Sequence, residues 1–263
     1  MKKNSLKFLI FTLIICATIS CYEPNEACLD FYASNYELSA DSDCDDCCEF
    51  PDLIMQFSHR FDSIAFEAND TIIDDFGNAF SFREFGFLIS NIELIDDAGA
   101  SHFIEDSILI SSGGSSSYYK NDFDLVATGT SSYNIGIIKI AEPIDRIKFT
   151  LGVEIDDIDF TNLDSEFVLN QLDETYVDEE QFIPWNLKIE RDTISSMIHI
   201  IQADVTDKRA IEISKELNSV LGSDIRVPIN IEYRKLLEGV NMSSSTDQEI
   251  KALINANFDK TFR

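Results

Sequence analysis

Phe85-Gly86-Phe87-Leu88-Ile89-Ser90-Asn91-Ile92-Glu93-Leu94-Ile95 is the stretch on which the reading of the fold turns. Aromatic and β-branched side chains dominate it, a composition that suits a buried pleated strand. Similar runs recur at residues 53–57, 63–67, 103–110, 133–140, 146–153, 185–190, 197–203 and 225–233, giving nine predicted strands. Turn signals such as Phe76-Gly77-Asn78 and Asp97-Ala98-Gly99 punctuate them. The expected fold is mainly β, an antiparallel β-sandwich or barrel-like domain. Residues 133–140 and 146–153, joined through Glu142-Pro143, are predicted to form a hairpin, and the Gly/Ser-rich residues 111–117 a loop.

Two or three peripheral helices complete the expectation. Residues 207–221 carry Ile211, Ile213, Leu217, Val220 and Leu221 and end at Gly222, which reads as a helix with its C-terminal cap. A last helix is predicted to start at Ser245 or Thr246, with Gln248 and Glu249 in capping-box position and Ile250, Leu253 and Ile254 facing the sheet.

Upstream of the domain the chain changes character. Lys2 and Lys3, then an apolar run over residues 8–17, form a leader too short to remain as a membrane span. Thr18-Ile19-Ser20-Cys21 resembles a bacterial lipobox. That resemblance implies export, cleavage after residue 20, lipidation of Cys21 and anchoring to a membrane, on the periplasmic or surface side of the outer membrane. Several acyl chains on one residue anchor far better than one. The expected divisions are a leader at 1–20, an acidic Cys-rich tether at 21–51 and the β domain at 52–263. Cleavage leaves about 243 residues, enough to bury roughly 70% of the unfolded surface.

The tether holds Cys28, Cys44, Cys47 and Cys48. In an exported chain an even set of cysteines reads as disulfides, in one of three connectivities, with Cys47 and Cys48 bonding outward rather than to each other. Zinc on Cys44-x-x-Cys47 is the alternative. The segment resembles the C-x-D-x-x-A-x-N-Y repeats of Bacteroidota surface proteins through Cys28, Asp30, Ala33, Asn35 and Tyr36. Asp41, Asp43 and Asp45 offer hard oxygen donors of the kind calcium takes, without the glycine and distal glutamate of an EF-hand.

With 48 acidic against 20 basic residues and a formal charge of −28, the chain is repelled by nucleic acid and by anionic membrane faces. No G-x-S-x-G or H-E-x-x-H string occurs, and among so many carboxylates nothing selects a glycosidase pair. Asp62, Asp70, Asp106 and Asp192 each open an Asp-Ser/Thr-Ile triplet resembling the Bacteroidota O-glycosylation sequon, expected at the surface.

Residues 85–94 resemble the Y-x-I-S-N-I-x-L strand of the MbnP-like family, with Ser90-Asn91 the most specific element. Residues 53–59, 75–80, 147–153 and 233–258 resemble further family elements in the same order. The resemblance implies a non-enzymatic β-sandwich binding protein, copper as its metal, and a di-haem peroxidase-like partner that oxidises a tryptophan ligand. Histidine and oxidised ring donors suit copper, so His59 on the opening strand and Trp185 are the candidate ligands, with His102 and His199 less well placed. The chain departs from the family at W-x-W-x-x-G-Y, keeping Trp185 and lacking the second Trp, the Gly and the Tyr. The site is thus expected to be degenerate. A metal-free adhesin or assembly module, and an unrecognised hydrolase, are the rival readings.

Overall fold

The computed structural model describes residues 23–62, 64–155, 158–159, 163–178, 181–191 and 197–263. Cys21 and the leader lie outside the described residues, as do Ser63 and Asp192 of the sequon triplets. The principal strands are β1 (Asp52–Phe61), β2 (Thr71–Ile73), β3 (Ala79–Asp96), β4 (Ser101–Phe103), β5 (Ser107–Ser112), β6 (Ser115–Lys120), β7 (Asp124–Ala127), β8 (Ser132–Ile137), β9 (Ile144–Leu151), β10 (Trp185–Glu190), β11 (Ile198–Gln202), β12 (Arg209–Leu217) and β13 (Ile225–Glu232). Two helices follow, α1 (Tyr233–Leu236) and α2 (Asp247–Thr261).

β3 is the spine of the larger sheet. One of its edges pairs first with β10 and then with β9, while the opposite edge carries β2, β7 and β4. The partner changes at Leu88, whose N–H donates to the Pro184 carbonyl (2.9 Å) and whose carbonyl accepts from the Gly152 N–H (2.8 Å). β11 flanks β10, and β12 flanks β9. In the smaller sheet β1 lies between β8 and β13. The β1–β13 pair is parallel, an exception in a mainly antiparallel fold.

Two-residue periodicity builds the core between the sheets. Leu53, Met55 and Phe57 of β1 and Ile225, Val227, Ile229 and Ile231 of β13 all point inward. They meet Phe82, Phe85 and Phe87 of β3 and Trp185, Leu187 and Ile189 of β10. Each such side chain removed from water stabilises by ~1.5–3 kcal/mol. A second cluster, including Leu88, Val153, Tyr176 and Phe182, covers the outer face of the larger sheet.

α2 starts as expected. Thr246 Oγ1 accepts from the Glu249 N–H (3.3 Å) and Glu249 Oε2 accepts from the Thr246 N–H (2.7 Å), and Ile250, Ile254 and Phe258 are buried. Its approach is fixed by Asp74, whose carboxylate accepts from the N–H groups of Phe76 (2.9 Å), Asn78 (2.8 Å) and Met242 (2.8 Å).

Three local expectations are overturned. Residues 207–221 form no helix: Arg209–Leu217 is strand β12, registered along β9, with Ile211 and Ile213 buried at a spacing of two. Val220 and Leu221, which completed the apparent helical stripe, are exposed. Gly222 caps nothing; a Cβ there would lie 2.8 Å from the Ala33 carbonyl oxygen, so its bareness lets the tether pack close. The 133–140/146–153 hairpin is absent, because β8 joins the smaller sheet and β9 the larger. Residues 111–117 are the tip of hairpin β5–β6, closed by Gly113 and Gly114, both at positive φ, between paired Ser112 and Ser115.

The tether is stapled by Cys28–Cys48 and Cys44–Cys47. Both cysteines of the zinc alternative are therefore consumed by one bridge, and Cys47 and Cys48 each bond outward. Lys139 clamps the segment to the domain, bonding Asp30 (3.2 Å) and lying 3.7 Å over the ring of Phe50.

Candidate functional site

Ser90-Asn91 turns out to be a backbone device. Lys148 pairs with Glu93 but Thr150 pairs with Ser90, so β3 carries one residue more than β9 and bulges. Asn91 takes φ 51°, a region Asn tolerates better than most residues. The bulge turns the N–H groups of Ile92 (2.7 Å) and Asn91 (3.2 Å) onto the carboxylate of Asp122, which is 1% exposed. Burial pushes the Asp122 carboxyl above its ordinary range, against the pull of those two donors. Ser90 Oγ donates to the Gly152 carbonyl (2.7 Å), and Asn91 Nδ2 donates to Glu154 (3.2 Å). Asp122 has no sequence signal; it lies beyond any local pattern that reads β3.

His59, on β1, borders a surface pocket of ≈ 330 Å³ together with Arg60, Phe66, Gly129 and Ser131. Its Nε2 is 3.2 Å from the Thr130 carbonyl, which can only accept, so Nε2 carries the proton. Nδ1 lies 2.7 Å from Tyr233 Oη. Burial holds the Tyr233 phenol well above its ordinary pKa, so its O–H is intact and donates to Nδ1. The imidazole is neutral, with both nitrogens engaged, and its ring stacks on that of Tyr233. Burial lowers the His59 pKa from its ordinary 6.5, with the Thr130 bond opposing. Its contribution to stability is therefore full above 6.5 and is lost as pH falls through the depressed folded value. Two-dimensional ¹⁵N NMR should show the Nε2–H tautomer and a midpoint below 6.5; an Nδ1–H ring titrating at or above 6.5 would contradict this arrangement.

Trp185 faces the other sheet's side of the core. It is 0% exposed, lies 6.2 Å from Phe85 and 6.0 Å from Phe258 between ring centroids, and donates Nε1–H to Asn255 Oδ1 (2.9 Å). Tyr233 and Phe85 stand between it and His59, with successive centroid separations of 5.8, 6.0 and 6.2 Å. The two candidate ligands thus belong to different environments. His102 pairs with Asp96 (3.0 Å), and His199 lies 3.9 Å from Asp247. Among the described residues no converging group of three His, Cys, Asp or Glu contains a histidine. Asp43, Cys44 and Cys48 do converge, but both sulfurs are locked in disulfides and are not thiolate donors. Arg60 adds a fixed positive charge to the His59 pocket. The donors present do not fit a multi-ligand copper centre.

The calcium reading of the tether finds no support in the geometry either. Asp41 accepts from the Asn25 N–H (2.8 Å) and Asp43 from the Leu29 N–H (2.9 Å), both bracing the stapled loop, and Asp45 joins no three-carboxylate group among the described residues. Thr71 and Ser107 of the sequon triplets are exposed.

Two facing β-sheets, a bulged central strand and a disulfide-stapled N-terminal segment define the class as a β-sandwich domain. A family model described as MbnP matches residues 51–253. The chain belongs to the MbnP family. The solved structure of MbnP from Methylosinus trichosporium is similar with a TM-score of 0.41 and 8% identity, covering 74% of this chain and 78% of that one. A search of curated proteins finds no match.

Proposed function

We propose that this chain is an exported, lipid-anchored, non-enzymatic binding protein of the MbnP family whose copper site is degenerate. The observation that carries the reading is His59: one neutral imidazole bordering a pocket, with both nitrogens engaged and no place in a converging group of three His, Cys, Asp or Glu among the described residues. Copper bound there must displace an existing hydrogen bond and lacks the convergent donors that give both affinity and selectivity. The same observation makes a metal-free surface module the second reading. A di-haem oxidising partner has little to act on in this chain, since Trp185 is sealed in the core.

Anchoring rests on Thr18-Ile19-Ser20-Cys21. A fatty-acid probe fed to the host should label the wild-type protein and leave Cys21→Ala unlabelled in the soluble fraction. Metal analysis of the protein purified from the cell envelope should then find copper well below one per chain. Equal labelling of both forms, or stoichiometric copper, would overturn the respective half of the proposal.

A further inference from the structure

The outer face of the larger sheet carries a polar cluster that none of the foregoing chemistry uses. Gly86 of β3 pairs with Asn186 of β10 on one side and Ala127 of β7 on the other. Tyr176 reaches down onto this row: a Cβ built on Gly86 would lie 1.9 Å from its Oη, so the phenol oxygen takes the place of the missing side chain. Directly paired residues hold their Cβ atoms about 4.5–5.5 Å apart, which puts the Asn186 amide within one small molecule of that oxygen. Tyr176 is 2% exposed and Asn186 1%. Tyr176 Oη and both Asn186 Nδ2 and Oδ1 are buried without a hydrogen-bond partner. Buried polar atoms left this way are rare in folded proteins, and three in one spot call for a common ligand.

Neighbouring polar groups are already committed. Gln202, the cross-strand partner of Asn186, donates to the Thr175 carbonyl (2.9 Å), and Lys188 bonds Glu84 (3.2 Å). What is left is a phenol hydroxyl, an amide donor and an amide acceptor around a bare glycine backbone. We propose that Asn186, Tyr176 and Gly86 form a buried hydrogen-bonding site for one neutral molecule that both donates and accepts, and that its occupant is water. An ion is disfavoured, because the row itself offers no charge, while a water with about three polar partners meets the usual requirement for a buried site. The water ties the segment bearing Tyr176 to the sheet beneath it.

The test uses the intact protein and two substitutions, Asn186→Leu and Tyr176→Phe. Oxygen-17 relaxation dispersion should count one more long-lived internal water in the wild type than in the double variant. In denaturant titrations each single change should lower the folding constant about tenfold, and the double change by clearly less than the product, because the second substitution removes groups the first orphaned. Equal water counts, or strictly multiplicative effects, would overturn the proposal. Should the double variant fail to fold, a high-resolution crystal structure of the unmodified protein decides. An ordered oxygen about 2.7–3.2 Å from Tyr176 Oη and from the Asn186 amide supports the site, whereas a direct Oη–amide contact or an empty gap refutes it.

Discussion

Replacing Trp185 with alanine is expected to cost about 3–5 kcal/mol of folding stability and to leave any copper binding unchanged. The side chain is fully buried, packs against Phe85 and Phe258, and satisfies Asn255 through its indole N–H. Its removal opens a cavity in the main core and orphans a hydrogen-bond acceptor. Trp185→Phe should cost less, since part of the volume is kept and the lost indole N–H dominates. A ligand role predicts the reverse pattern, with metal binding lost and stability nearly intact. Chemical denaturation of the two variants, beside copper titrations of each, separates these outcomes. A stability loss within about 0.5 kcal/mol for the alanine change would contradict the core-anchor account, since that is the range of surface substitutions.

The second large effect belongs to Asp122. Asp122→Ala strips the acceptors from the N–H groups of Asn91 and Ile92 at the bulge of β3. Each buried donor left unsatisfied costs ~1–3 kcal/mol, so for two donors a total loss of roughly 2–6 kcal/mol is expected. Asp122→Asn retains one acceptor and should lose less. The pH dependence gives a second readout. Because burial raises the folded pKa of this carboxyl, its contribution is fully present below the ordinary carboxylate range and is lost as pH rises through the folded value. Asp122→Asn removes that dependence, so its stability curve should flatten on the acid side relative to the wild type. An unaltered curve, with a small penalty for alanine, would show that the bulge is held by other contacts.

How much of this could be read in the sequence depends on the range of the interaction. Residues 185–190 form a strand with those bounds, and the predicted strand 225–233 ends one residue early. In each, a continuous or alternating apolar pattern states the period directly. The capping box of α2 was equally legible, because Thr246 and Glu249 are near neighbours. β12 misled because Ile211-Glu212-Ile213 alternates for too short a distance, and Val220 and Leu221 then supply a false helical stripe. The 133–153 hairpin failed for a different reason. Adjacent strands of a sandwich can cross between sheets, a choice made by partners such as β1 and β12 that lie far away in the chain.

The candidate site follows the same division. The position of His59 on the opening strand was legible, but its partner Tyr233 lies 174 residues downstream and gave no local signal. Trp185 was visible through the family resemblance of its stretch, whereas its enclosure by Phe85, Phe258 and Asn255 is a property of the folded core. Tyr176 and Asn186 were invisible for the same reason, since only the fold brings them over Gly86.

The central proposal, that this MbnP-family chain carries at most a degenerate copper site, is tested most directly by calorimetric copper titration of the protein beside His59→Ala. The account predicts wild-type binding weaker than about micromolar, poor discrimination against other divalent ions, and a further loss with His59→Ala. Nanomolar, copper-selective binding that persists in His59→Ala would contradict it and place the ligands elsewhere in the chain.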